Sequence, residues 1–241
     1  MGKVISFLIL SFPFLAFGQT NSSVDFVTGM EYSYRGLSTS SKDEIVIGIM
    51  ENRNDKETGK LNWRAGFNYN RRLSNRFHLK TGIRLASVGY EGEKKTGLRY
   101  ASEFVTPELW VPDPSLPHEV QFIYDYWFVE IPLVGRFECT NKKIAPFLEL
   151  GIAPAVYVTT RTKIVTDLGT DVSFNNGVDA FDFYRFHLVG IFSIGVSFSV
   201  SERMQLFGQP TLRYHLTQLV DAPIEEHLFN YGIEIGARRK F

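Results

Sequence analysis

The chain is poor in cysteine, in net charge and in long apolar runs. Cys139 is the single cysteine of 241 residues, and 26 Lys and Arg balance 26 Asp and Glu. One thiol cannot close an internal disulfide, and the turn-like stretch ECTNKK around Cys139 holds no histidine to activate it. A balanced chain has no net field to draw in nucleic acid. Beyond the N-terminus no apolar run reaches the ~18 residues that a membrane helix needs. There is no P-loop, no G-x-G-x-x-G after a strand, no H-E-x-x-H and no C-x-x-C. No cofactor and no metal are therefore expected, and no nucleic-acid partner.

Aromatic side chains, by contrast, are abundant: 15% of the chain, with 21 Phe. The first residues, MGKVISFLILSFPFLAFGQ, set Lys3 before an apolar run from Val4 to Leu15 and small residues at Ala16 and Gly18. That three-part pattern predicts a secretory signal peptide over residues 1–18, cleaved near Gly18–Gln19, with a mature domain over 19–241.

The mature chain repeats at period two, the signature of strands. LNWRAGFNYN carries Leu61, Trp63, Ala65, Phe67 and Tyr69 on one face and Asn62, Arg64, Gly66, Asn68 and Asn70 on the other. Comparable alternation predicts eight strands at about 24–36, 61–72, 76–91, 120–138, 143–160, 183–200, 203–219 and 227–241, and no segment shows a matching helical period. Three connections (LSNR, TNKK, SE) are short and alternate with longer ones. The expected fold is all-β: an eight-stranded antiparallel up-and-down transmembrane β-barrel, with short turns at one end and long loops at the other. Pro132 and Pro210 fall inside predicted strands, where a missing N–H predicts a bulge or a register adjustment.

Alternation alone does not say which face is outside. Trp63, Phe67, Tyr69, Phe77, Trp127, Phe137, Tyr214, Phe229, Tyr231 and Phe241 share the apolar face, and this set would overfill an eight-stranded lumen. The opposite face carries Gly66, Gly82, Gly151, Gly195, Gly232 and Gly236 beside charges. The apolar face is therefore expected to meet lipid. Inside, Glu130, Glu149 and Glu234 are expected to pair with Lys80, Arg84, Arg136 and Arg213, because an unpaired buried charge is very costly. Such a polar, plugged lumen predicts no open pore.

The stretches VEIPLVGRF (Val129 to Phe137), APFLELGIAPAVYV (Ala145 to Val158) and YGIEIGARRKF (Tyr231 to Phe241) together resemble the PorT-like outer-membrane β-barrel family of the Bacteroidetes. The resemblance implies an integral outer-membrane protein of a Gram-negative cell, structural or partner-binding, and a place in type IX secretion. It also implies that Tyr231, Ile233, Ile235, Gly236 and Phe241 form a C-terminal insertion signal read by the barrel assembly machinery. The expected partners are outer-membrane lipid, that machinery, and a protein held by the long loops. The best loop for it is Tyr100 to Phe122, with Trp110 and four prolines.

Five histidines are scattered: His78, His118, His187, His215 and His227. His187 and His215 fall on adjacent predicted strands, where a lumen role is favoured over a metal pair. No Ser–His pair is evident on an outward face, so the chain is expected not to be an enzyme. A lipid-modifying barrel enzyme and a small porin are the alternatives.

Overall fold

The computed structural model describes residues 22–175 and 183–241; the expected signal peptide and its cleavage point lie outside the described residues. In chain order the elements are β1 (Ser22–Ser38), α1 (Glu44–Lys56), β2 (Glu57–Arg72), β3 (Phe77–Gly92), β4 (Lys95–Thr96), β5 (Phe104–Thr106), β6 (Leu109–Trp110), β7 (Glu119–Glu130), β8 (Leu133–Glu138), β9 (Ile144–Thr166), β10 (Thr170–Asn175), β11 (Phe186–Ser199), β12 (Met204–His215) and β13 (Glu225–Lys240). Eight staves, β1, β2, β3, β7 with β8, β9, β11, β12 and β13, pair antiparallel in sequence order, and β13 returns to β1 to close the ring. The expected eight-stranded up-and-down barrel is the observed fold.

Side chains of large apolar residues point outward. Met30 is 64% exposed, Leu150 65% and Ile233 63%, in a band that also holds Leu148, Leu206, Leu212 and Ile235. Aromatic residues flank this aliphatic band. Tyr34, Trp63, Tyr214 and Tyr231 lie towards the long loops; Phe26, Phe67, Phe77, Phe137 and Phe241 lie towards the short turns. In water such a surface would drive aggregation, and hydrocarbon is the medium it suits. The closing strand is part of the band: Tyr231, Ile233, Ile235 and Phe241 face outward, while Gly236 lies beneath the Phe207 ring.

Three sequence expectations need correction. Helix α1 fills the first long loop, where no helical period was seen. It buries no residue, so no apolar stripe marks it; the Asp43 carboxylate caps it by accepting from Ile45 N–H at 2.9 Å. Pro132 and Pro210 cause no register shift. Glu130↔Arg84 and Leu133↔Thr81 keep one register across Pro132, and Gln209↔Glu234 continues to Thr211↔Gly232 across Pro210. The irregularity lies instead at Trp127/Phe128, against β9. Lastly, the lumen is not polar throughout. Towards the loops it also holds an apolar core of Val88, Tyr126, Phe128, Tyr157, Val189, Ile191, Leu219 and Leu228. The strands, up to 23 residues in β9, outrun the ~9–11 residues that cross hydrocarbon. The projecting part closes on a core like that of a soluble protein.

Candidate functional site

Below that apolar core the lumen holds six carboxylates, Asp25, Glu31, Glu130, Glu138, Glu149 and Glu234, and six cations, Arg64, Lys80, Arg84, Arg136, Arg213 and Arg238. Every one is buried or nearly so, and Lys80, Glu130 and Arg136 have no exposed surface at all.

Arg213 is the hub. Its three guanidinium nitrogens reach Glu31 at 3.1 Å, Glu130 at 3.4 Å and Glu234 at 2.5 Å. Arg64 pairs with Glu31 and lies 3.1 Å from Glu130, and Arg84 lies 3.2 Å from Glu234. Gln209 donates to Glu234 at 3.0 Å and to Glu149 at 3.3 Å, linking this set to a second one nearer the turns. There Lys80 lies 2.6 Å from Glu149, and Arg136 lies 3.1 Å from Glu138 with its guanidinium 3.5 Å above the Phe147 ring. Arg238 binds both oxygens of Asp25, at 2.8 and 3.1 Å.

All seven charges named from the sequence thus lie in the lumen. Lys80, Arg136 and Glu149 form one group; Arg84, Glu130, Arg213 and Glu234 form the other. Sequence reasoning missed Asp25, Glu31, Glu138 and Arg238 as members, and read Arg64 only as a polar-face residue. The same period-two alternation, carried through the first strand, would have found Asp25 and Glu31. Space for these long side chains comes from glycines directly across the strand pair: Glu31 opposite Gly232, Glu234 opposite Gly29 and Arg84 opposite Gly66.

His187 and His215 both lie inside the barrel, 4% and 1% exposed, with ring centroids 6.0 Å apart beside Phe128. Among the described residues no group of three metal-ligating side chains assembles around them or elsewhere. An outward groove of about 250 Å³ at the loop end does hold a serine and a histidine, Ser38 and His227. The His227 ring stacks on Tyr214 at 5.6 Å, and its Nδ1 meets the His215 carbonyl at 2.9 Å.

The loop between β3 and β7 is organised by Glu103. Its carboxylate, 3% exposed, accepts from Asp113 N–H at 2.7 Å, Tyr100 N–H at 2.9 Å and Trp110 Nε1 at 3.0 Å, and meets His118 Nε2 at 2.6 Å. Burial pushes the carboxyl up, but those four hydrogen bonds outweigh it and hold the pKa down to about 2. A depressed carboxyl supports structure above the ordinary glutamate value of 4.5, and the support is lost as pH falls through about 2. Hydrogen–deuterium exchange over Tyr100–His118 should therefore be pH-insensitive in protection above pH 4.5, then lose protection towards pH 2. Glu103→Gln should speed exchange there about tenfold at neutral pH and remove that acid transition.

No protein-family model and no curated protein matches the chain, so the PorT-like family stands on resemblance alone. Similar solved structures include Neisserial surface protein A, at 13% identity and a TM-score of 0.46 over 91% of this chain and 97% of that one. OprG of Pseudomonas aeruginosa gives 10% and 0.45 over 93% and 98%. The outer membrane protease OmpT of Escherichia coli gives 9% and 0.43 over 94% and 99%. At these identities and scores the likeness carries no activity or partner to this chain, and the barrel rests on its own closed register. The expectation of a non-enzyme is not upheld, since the similar structures include a protease.

Proposed function

We propose that this chain is an integral outer-membrane β-barrel whose lumen is a plug and whose long loops meet a partner. The observation that carries the reading is the inversion of a soluble barrel: an aliphatic belt between two aromatic girdles outside, and twelve paired charges inside. A water-filled channel would leave those charges accessible, and they are not. The plugging elements come in sequence along the axis: charges towards the turns, then the apolar core, then Arg35, Arg53, Glu57 and Glu226 at the loop mouth, where both arginines reach Glu226 at 2.7 Å.

For the partner surface, the β5–β6 hairpin presents Phe104, Val105, Leu109 and Val111, between 41% and 68% exposed, on a loop that Glu103 holds in shape. Rigidly held apolar residues on a loop are the usual form of a contact site. The resemblance to the PorT-like family supports a secretion-associated partner.

The test is gel mobility with and without heating, on protein from the outer-membrane fraction, followed by planar-bilayer recording. Heat-dependent migration with flat current traces is expected. A protein that fractionates as soluble and shows no heat shift would refute the membrane reading, and steady single-channel steps would refute the plug.

A further inference from the structure

A zero net charge hides a strong segregation along the barrel axis. Among the described residues the short-turn end exposes Arg71, Arg72, Arg76, Lys142, Lys143, Arg203, Arg239 and Lys240, against a single exposed acidic side chain, Glu202. The carboxylates nearest to this end, Asp25 and Glu138, are committed to Arg238 and Arg136 within the lumen. The rim cations therefore keep their charge for something outside the fold.

On the outer wall at this end lies a groove of about 610 Å³, across β2, β1, β13 and β12. Phe26, Met204, Ala237 and Phe241 give it an apolar floor, and Arg203 and Arg239 stand on its rim. The register fixes the arginines there: Arg239 faces Val24 on one side and Met204 on the other, and Lys240 N–H donates to the Arg203 carbonyl at 2.9 Å. Neither guanidinium forms a salt bridge among the described residues. Nearby Lys143 adopts the same posture, its Nζ 5.2 Å above the outward Phe198 ring. An apolar stem with a cationic head fits the boundary between hydrocarbon and headgroups.

We propose that this groove is a binding site for one anionic phospholipid of the turn-side leaflet. An acyl chain lies on the Phe26–Met204–Ala237 floor and the phosphate sits between Arg203 and Arg239. The site rests on the membrane reading above and adds selectivity to it. Each arginine near an anionic group favours it about fivefold, so the pair should favour phosphatidylglycerol over phosphatidylcholine about thirtyfold. Lipopolysaccharide is not the occupant, because it belongs to the loop side of such a barrel.

The test uses the full barrel in a neutral detergent, its folding checked first by heat-dependent gel mobility. Equimolar phosphatidylglycerol and phosphatidylcholine are added, and retained lipid is counted by native mass spectrometry. One phosphatidylglycerol per barrel is expected, and soluble glycerol phosphate should not displace it. The single variants Arg203→Gln and Arg239→Gln should each cut the preference about fivefold and the double variant should abolish it. Ala237→Trp should lose both lipids, while Lys142→Gln changes nothing. Equal retention of the two lipids by a heat-modifiable barrel overturns the site and leaves the membrane reading standing, as does an unchanged preference in the double variant. Displacement by glycerol phosphate reduces the site to one for free phosphate and overturns the lipid. A barrel with no heat shift overturns both.

Discussion

Arg213→Leu is expected to destabilise the barrel by about 3–5 kcal/mol, read as a lowered urea midpoint for loss of the heat-modifiable band. The magnitude follows from what is left behind. Arg213 is shared by Glu31, Glu130 and Glu234, and its own side chain is fully buried. After its removal three carboxylates depend on two guanidiniums, Arg64 and Arg84. One negative charge is then uncompensated in a lumen that water does not reach, and that is far costlier than the loss of a surface pair. Two companions sharpen the case. Arg213→Lys should fall between wild type and Leu, because a compact ammonium cannot span three carboxylates as a planar fork does. Glu31→Gln added to Arg213→Leu should recover stability, because it deletes the surplus charge while keeping an acceptor for Arg64. An Arg213→Leu protein within about 0.5 kcal/mol of wild type would mean that the lumen is wet and the network ornamental.

Much of the barrel was legible because lipid imposes a continuous demand on one face of every strand. Phe67, Ile83, Leu150 and Ile233 all answer to it, and the alternation survives across prolines and loops. The lumen charges were legible as a set for the same reason, since parity alone sends Glu130 or Arg213 inward. Their pairing was not, because it depends on closure. Arg213 meets Glu31 and Arg238 meets Asp25 only because β13 returns to β1, across 182 and 213 residues of sequence. Helix α1 was invisible for the converse reason: with no face against the protein, nothing selects a 3.6-residue period. The prolines misled because a missing N–H was equated with a displaced chain. At Pro132 the neighbouring Ile131 N–H still donates to the Pro154 carbonyl at 2.9 Å, and the ladder resumes in register at Leu133. Glu103 was missed because its four partners converge only once the loop has its path.

The glycines on the lumen face admit the second large effect: Gly232→Val is expected to abolish barrel closure, with no heat-modifiable band under conditions that fold wild type. Gly232 faces Glu31 across the seam between β13 and β1. A Cβ at this position would overlap the carbonyl oxygen of Met30 and crowd the Cα and Cγ of Glu31. The first of these contacts is with backbone, so no rotamer change relieves it. Either β1 and β13 separate or the register slips. A slip of β1 by one residue would turn Glu31 towards lipid and Met30 into the lumen, and a slip of β13 would do the same to Glu234 and Ile233. Overpacking elsewhere in a core costs about 1–3 kcal/mol, and here the loss should exceed that range, because the strain falls on the strand pair that makes the sheet a ring. Gly190→Ala is the matched control: its Cβ would find the nearest atom, the Tyr214 carbonyl oxygen, only at 3.8 Å, and it should fold as wild type. Glu31→Ser combined with Gly232→Ala separates the two causes. It frees the space that the Glu31 Cγ occupies but leaves the Met30 carbonyl in place, so it should still fail to close. Folding of that double variant would show that the glycine serves the glutamate side chain alone, and that the seam itself tolerates a Cβ.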